Sequence, residues 1–124
     1  MILPALEEGG YTVQKQVHIG SRLGCGKHVV DVLAEKDSKR YLVSLKWQQT
    51  GGTAEQKVPY EVICLGEAVT EQGFAKAYLV LGGEGWTLRG FFVDGGLSRH
   101  LTKPEAVSIV TLESFVAKAN KGKL

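Results

Sequence analysis

Residues 29–48 read VVDVLAEKDSKRYLVSLKWQ. Two β-branched, apolar runs, 28–35 and 40–48, flank the polar tetrapeptide KDSK, which predicts a β-hairpin. A turn centred on Asp37 and Ser38 pairs Asp31 with Ser44 and Val29 with Lys46. Side chains alternate along a strand, and cross-strand partners share a face. Asp31, Ser44, Lys46 and Gln48 are therefore expected on one face, and Val30, Val32, Val43, Leu45 and Trp47 on the other. A slip of one residue would place Asp31 among the valines, so the partition supports this register.

Downstream, GGTAEQKVPYEV opens a helix. Thr53 is a candidate N-cap with Gln56 completing a capping box, and Val58, Val62, Leu65 and Val69 recur at helical spacing. Pro59 is expected to delay or kink this helix. Residues 75–81 (AKAYLVL) read as a buried strand, WTLRGFFV as a further strand, and Ser108–Val110 as a short one. Thr111 is expected to cap a final helix through about Asn120. Upstream, residues 2–8 read as a short helix stopped by Gly9 and Gly10. Tyr11 to Ile19 alternates, with Tyr11, Val13, Lys15, Val17 and Ile19 on one face. GSRLGCGK reads as a loop. The order is α-β-β-β-α-β, then a β-rich stretch, then a helix. It predicts an α/β domain with a mixed α+β sheet flanked by helices.

The 124 residues suit a single domain with a substantial core. A net charge of +2 permits contact with a polyanion without indicating one. Cys25 and Cys64 belong to no CxxC pair and form no disulfide framework. Cys64, in VICLGEAV, is expected to pack as a small hydrophobe. Both are read as reduced, in a cytoplasmic protein. The opening MILPALEEGG lacks the basic and apolar regions of a signal peptide, and no apolar stretch approaches a membrane span.

Asp31 and Lys46 on paired strands, with an acid on the next element, form a set that can hold a divalent metal and polarise a phosphodiester. The stretch resembles the PD-(D/E)XK nuclease superfamily, the restriction-endonuclease-like fold. VVD at 29–31 stands as the Asp motif and SLK at 44–46 as the acid-x-Lys motif. The resemblance covers residues 2–82 and implies a restriction-endonuclease-like αβββαβ core with helices flanking a central mixed sheet. Two positions depart from the pattern: Val30 replaces Pro, and Ser44 replaces the acid. Some restriction enzymes of the superfamily carry the same S-x-K and place the acid on the following helix. Glu61 is the favoured replacement here, because a turn or more of helix can bring it back over the hairpin. Glu55, nearer the helix start, is the alternative.

The resemblance implies an Mg²⁺-dependent (or Mn²⁺-dependent) DNA endonuclease. Asp31 and Glu61 would hold one or two ions, and Lys46 would orient water or neutralise phosphate charge. Gln48 would position water or the scissile phosphate. Arg22, Lys27 and His28, just before the Asp strand, and Lys57, on the helix, would contact the DNA backbone, which supplies affinity without sequence information. Cutting both strands would require a homodimer.

Other motifs fail. GSRLGCGKH lacks P-loop spacing, and GGEG lacks GxGxxG. His18, His28 and His100 are scattered, and no Cys/His spacing suggests zinc. Trp47 is expected in the core. The competing readings are a catalytically weakened nucleic-acid binder, for which Ser44 is the main support, and a small α/β interaction module.

Overall fold

A computed structural model of the chain describes residues 2–22, 25–47, 54–83 and 104–124, apart from the side chains of 20–22, 25–28, 54–56 and 104. Along the chain run α1 (Ile2–Glu8), β1 (Thr12–Arg22), β2 (Cys25–Lys36), β3 (Lys39–Trp47), α2 (Ala54–Gln72), β4 (Lys76–Gly82), a 3-10 turn (Pro104–Ala106), β5 (Val107–Thr111) and α3 (Leu112–Asn120). The strands lie in the order β1-β2-β3-β4-β5. β1, β2 and β3 form an antiparallel meander, and β4 and β5 join it in parallel. This is the expected mixed sheet with flanking helices. The expected strand WTLRGFFV and the Thr53 cap lie outside the described residues.

The hairpin register is the predicted one: Val32 pairs with Val43, Leu33 with Leu42 and Ala34 with Tyr41. Asp37 and Ser38 have φ of 53° and 67°. Positive φ at both central residues is the signature of a type I′ turn, whose twist matches that of the flanking strands.

Two apolar layers sandwich the sheet. On one side Val58, Val62, Leu65 and Ala68 of α2 pack on Leu42, Leu79 and Leu81. On the other, Ala5 and Leu6 of α1 with Phe115 and Ala119 of α3 pack on Val43, Tyr78 and Val80. β4 is buried on both faces, which explains its unbroken apolar run. Burying each large apolar side chain contributes about 1.5–3 kcal/mol, so this double layer holds β3 and β4 rigidly. α1 and α3 approach so closely that a β-carbon on Gly9 would overlap the Ala119 carbonyl oxygen. Thr111 caps α3 as expected, its Oγ1 accepting from the Ser114 amide at 3.1 Å.

Three expectations need correction. First, β1 does not keep one face. Tyr11 and Val13 belong to the α1/α3 layer, whereas Val17 and Ile19 belong to the α2 layer. The change falls at Gln16, whose φ is 53°. Left-handed backbone in a strand breaks the alternation and sharpens the twist. Val30 and Val32 on β2 separate in the same way, so Val30 does not share the face of Val32, Val43 and Leu45. Second, GSRLGCGK is not all loop: Gly20–Arg22 extend β1, and Cys25–Lys27 begin β2, with Ser21 paired to Lys27 across register shifts. Third, Pro59 does not delay α2, which starts at Ala54 and runs through it.

Candidate active site

β2 and β3 pair from Val32↔Val43 to the turn. On the β1 side the register passes from Lys15↔Val32 to Val17↔Val30, stepping over Gln16 and Asp31. Asp31 therefore stands where β2 leaves the β3 ladder, at an irregularity in its continuing pairing with β1. Its Oδ2 accepts a hydrogen bond of 2.7 Å from the Leu45 backbone amide. The carboxylate takes the place of a strand carbonyl and fixes the spacing of the fork. A short bond from an amide to a charged oxygen is among the stronger hydrogen bonds.

Ser44 and Lys46 flank Leu45 and point to the α2 side, as alternation requires. The Ser44 hydroxyl donates to Glu61 Oε1 at 3.4 Å, and Lys46 Nζ lies 3.9 Å from Glu61 Oε2. Glu61 is only 2% exposed. It sits on the buried stripe of α2, three residues after Val58 and four before Leu65, both fully buried. A buried carboxylate is costly unless it is paired and hydrogen-bonded, and the serine hydroxyl and the lysine ammonium meet that need. Lys46 itself is 29% exposed, so the ammonium reaches the surface beside the buried acid.

The segment Ser44-Leu45-Lys46 thus tethers both acids, Asp31 through its backbone and Glu61 through its side chains. Glu61 lies at the tip of Ser44, the direction in which an acid at position 44 would extend. The helical stripe was the signal for Glu61. The anchoring of Asp31 on Leu45 N had no sequence signal, because any residue supplies that amide.

Most other expected site residues are described in backbone only or not at all. Gln48 lies outside the described residues, as does the side chain of Glu55, whose backbone is in the first turn of α2. The backbones of Arg22, Lys27 and His28 lie at the far end of the β1–β2 hairpin. Lys57 is exposed near the start of α2. Trp47 is not in the core as expected: it is 57% exposed, beyond the end of the apolar layer. Cys64 is buried, as expected.

Hard divalent cations prefer carboxylate oxygens and complete their shells with water and phosphate. Asp31 Oδ1, without a partner among the described residues, and the Glu61 carboxylate are suitable donors. No group of three or more His, Cys, Asp or Glu that could hold a metal ion gathers among the described residues.

A sheet of this order, with an acid at the strand fork and an acid–lysine pair beside it, defines a nuclease-like α/β architecture. A family model for the PD-(D/E)XK nuclease superfamily domain matches residues 1–123, and the chain belongs to that superfamily. A crystal structure of a protein of unknown function, AF1548, superposes with a TM-score of 0.55 at 19% identity, covering 90% of this chain and 54% of that one. That likeness shows the fold, and the present chain spans about half the length of AF1548. No curated protein matches the sequence.

Proposed function

We propose that this chain is a metal-dependent endodeoxyribonuclease in which Glu61 replaces the acid missing at Ser44. The observation that carries this reading is the contact of the Glu61 carboxylate with both Ser44 and Lys46, the two ends of the S-x-K segment. Asp31 and Glu61 would hold Mg²⁺ or Mn²⁺. When bound, the ion polarises the phosphate and acidifies water. The residues of the chain do the rest. The Leu45 amide fixes the Asp31 carboxylate through Oδ2. Ser44 holds the Glu61 carboxylate in place. Lys46 neutralises charge on the phosphate or orients the attacking water. Gln48 assists in placing the water. Arg22, Lys27, His28 and Lys57 contact the DNA backbone, and cutting both strands of a duplex takes two copies of the site in a homodimer.

Cleavage of plasmid and branched DNA with Mg²⁺ tests the reading. Asp31→Ala and Lys46→Ala are expected to abolish cleavage while far-UV circular dichroism stays unchanged. Full activity in either variant would refute it. Ser44 also favours a second reading, in which the chain binds nucleic acid with little or no cleavage. Salt-sensitive DNA binding without metal-dependent cuts would select that one.

A further inference from the structure

We infer that Lys46 is the resident counter-ion of Glu61 and yields that place to a divalent cation, which frees its ammonium for the substrate phosphate. This inference rests on the nuclease reading above and specifies how its site is loaded. Glu61 is buried, and its two carboxylate oxygens have different neighbours. Oε1 accepts from the hydroxyl of Ser44, itself only 4% exposed, whereas Oε2 faces the Lys46 ammonium, whose side chain is 29% exposed. The serine is thus the buried partner, and the lysine is the partner that reaches solvent. At 3.9 Å the ammonium stands beyond the about 2.7–2.9 Å of a charge-assisted hydrogen bond. Attraction between charges holds the pair, without the directional bond that would lock it.

A buried carboxylate needs a compensating charge. The Ser44 hydroxyl carries none, and the Lys46 ammonium does. One ammonium cannot serve two anions fully, so Lys46 is not available to a phosphate while it balances Glu61. Two cations at one carboxylate repel each other. Lys46 has a flexible four-carbon stem and a path to solvent, so it is the partner that moves, while Ser44 keeps Glu61 oriented. Coupling between two ligands of one group is reciprocal. A side chain displaced by the ion therefore opposes its binding. Lys46 lowers divalent affinity although cleavage requires it, and these two roles have opposite signs.

Lys46→Met keeps the apolar stem and removes the charge. Parent and variant are titrated with Ca²⁺ by calorimetry, without DNA, at about pH 9, well above the ordinary glutamate range. The variant is expected to bind Ca²⁺ about 5- to 150-fold more tightly than the parent, the usual span of coupling between two sites. Equal or weaker binding by the variant, or no binding by either protein, overturns the proposal. A second measurement needs no change at Lys46 and stands even if Lys46→Met fails to fold. The parent is treated with acetic anhydride, and acetylation of Lys46 is followed by mass spectrometry. Its rate is expected to rise when Ca²⁺ is saturating, and in Glu61→Gln to be high already and indifferent to Ca²⁺. A rate in the parent that Ca²⁺ leaves unchanged overturns the proposal. Cleavage by the parent with Ca²⁺ affinity and labelling both indifferent to the pair rejects the inference alone. Tighter Ca²⁺ binding in Lys46→Met, with a parent that cuts no DNA, supports the inference and rejects the nuclease reading.

Discussion

The Asp31 carboxylate is fixed by the backbone amide of Leu45, which donates to Oδ2 at 2.7 Å. Leu45 stands between Ser44 and Lys46, whose side chains contact Glu61. One three-residue stretch of a central strand therefore sets the position of both acids. The apolar layers on both sides of β3 hold that stretch still.

Charge and scaffolding at Asp31 can be separated. Asparagine can still accept from Leu45 N through its carbonyl but carries no charge. Asp31→Asn should therefore unfold at nearly the parental temperature while losing about 100-fold or more in cleavage, the scale seen when one preorganised electrostatic group is removed. Asp31→Ala strands the amide as well and should cost roughly 1–3 kcal/mol in stability. Equal melting temperatures for the two variants would show that the 2.7 Å bond carries little stability.

If Glu61 stands in for an acid at position 44, moving the acid back should work. Glu61→Ala is expected to abolish metal-dependent cleavage. Adding Ser44→Glu to it should restore a measurable fraction, because the new carboxylate grows toward the space vacated. Ser44→Glu alone crowds two acids around Lys46 and should be less stable than the double variant. A folded double variant with no more activity than Glu61→Ala would show that the positions are not exchangeable.

Tyr78 is 1% exposed, and burial, reinforced by Tyr41 and Tyr11, raises its pKa to about 12. Its neutral form is favoured by folding. The stability it contributes is complete below pH 10, the pKa of an unfolded tyrosine, and is lost as pH rises from 10 to about 12. The loss is on the order of 2–3 kcal/mol. Lys76, whose pKa burial and Lys118 lower, acts in the opposite direction. The clean measurement is the difference in urea midpoint between parent and Tyr78→Phe across this range. It should shift in favour of the phenylalanine variant above pH 10. Parallel curves would contradict the assignment.

The hairpin turn can be improved. Ser38 holds φ of 67°, a conformation that costs an L-residue roughly 1–2 kcal/mol and glycine nothing sterically. Part of that gain returns as chain entropy, so Ser38→Gly should stabilise by roughly 0.5–1 kcal/mol and raise the melting temperature by a few degrees. A lower melting temperature would mean that the serine side chain contributes to the turn.

The hairpin was legible because its signals agree. Polar turn residues, a two-residue loop and matched alternation all select the same register, and Val32↔Val43 bears it out. α2, β4 and α3 followed from periodicity and from the Thr111 cap. The change of face in β1 is invisible in the sequence because the alternation continues unbroken through Gln16, while the backbone there turns left-handed. Nothing in a period-two pattern marks such a reversal when both resulting faces are apolar. The exposure of Trp47 has no sequence signal, because strand parity assigns a face and does not say where the covering layer stops.

The sequence by itself determined the element order, the central register and the departure of Ser44 from the family motif. Those features are local: propensity, periodicity and turn chemistry act over a few residues. Only the tertiary structure decided that Glu61 meets Ser44 and Lys46, that Asp31 rests on Leu45 N, and that Trp47 stands exposed. Each depends on where α2 docks and where the strands part. Docking is set by burial summed over two layers, a long-range balance that no single stretch of sequence records.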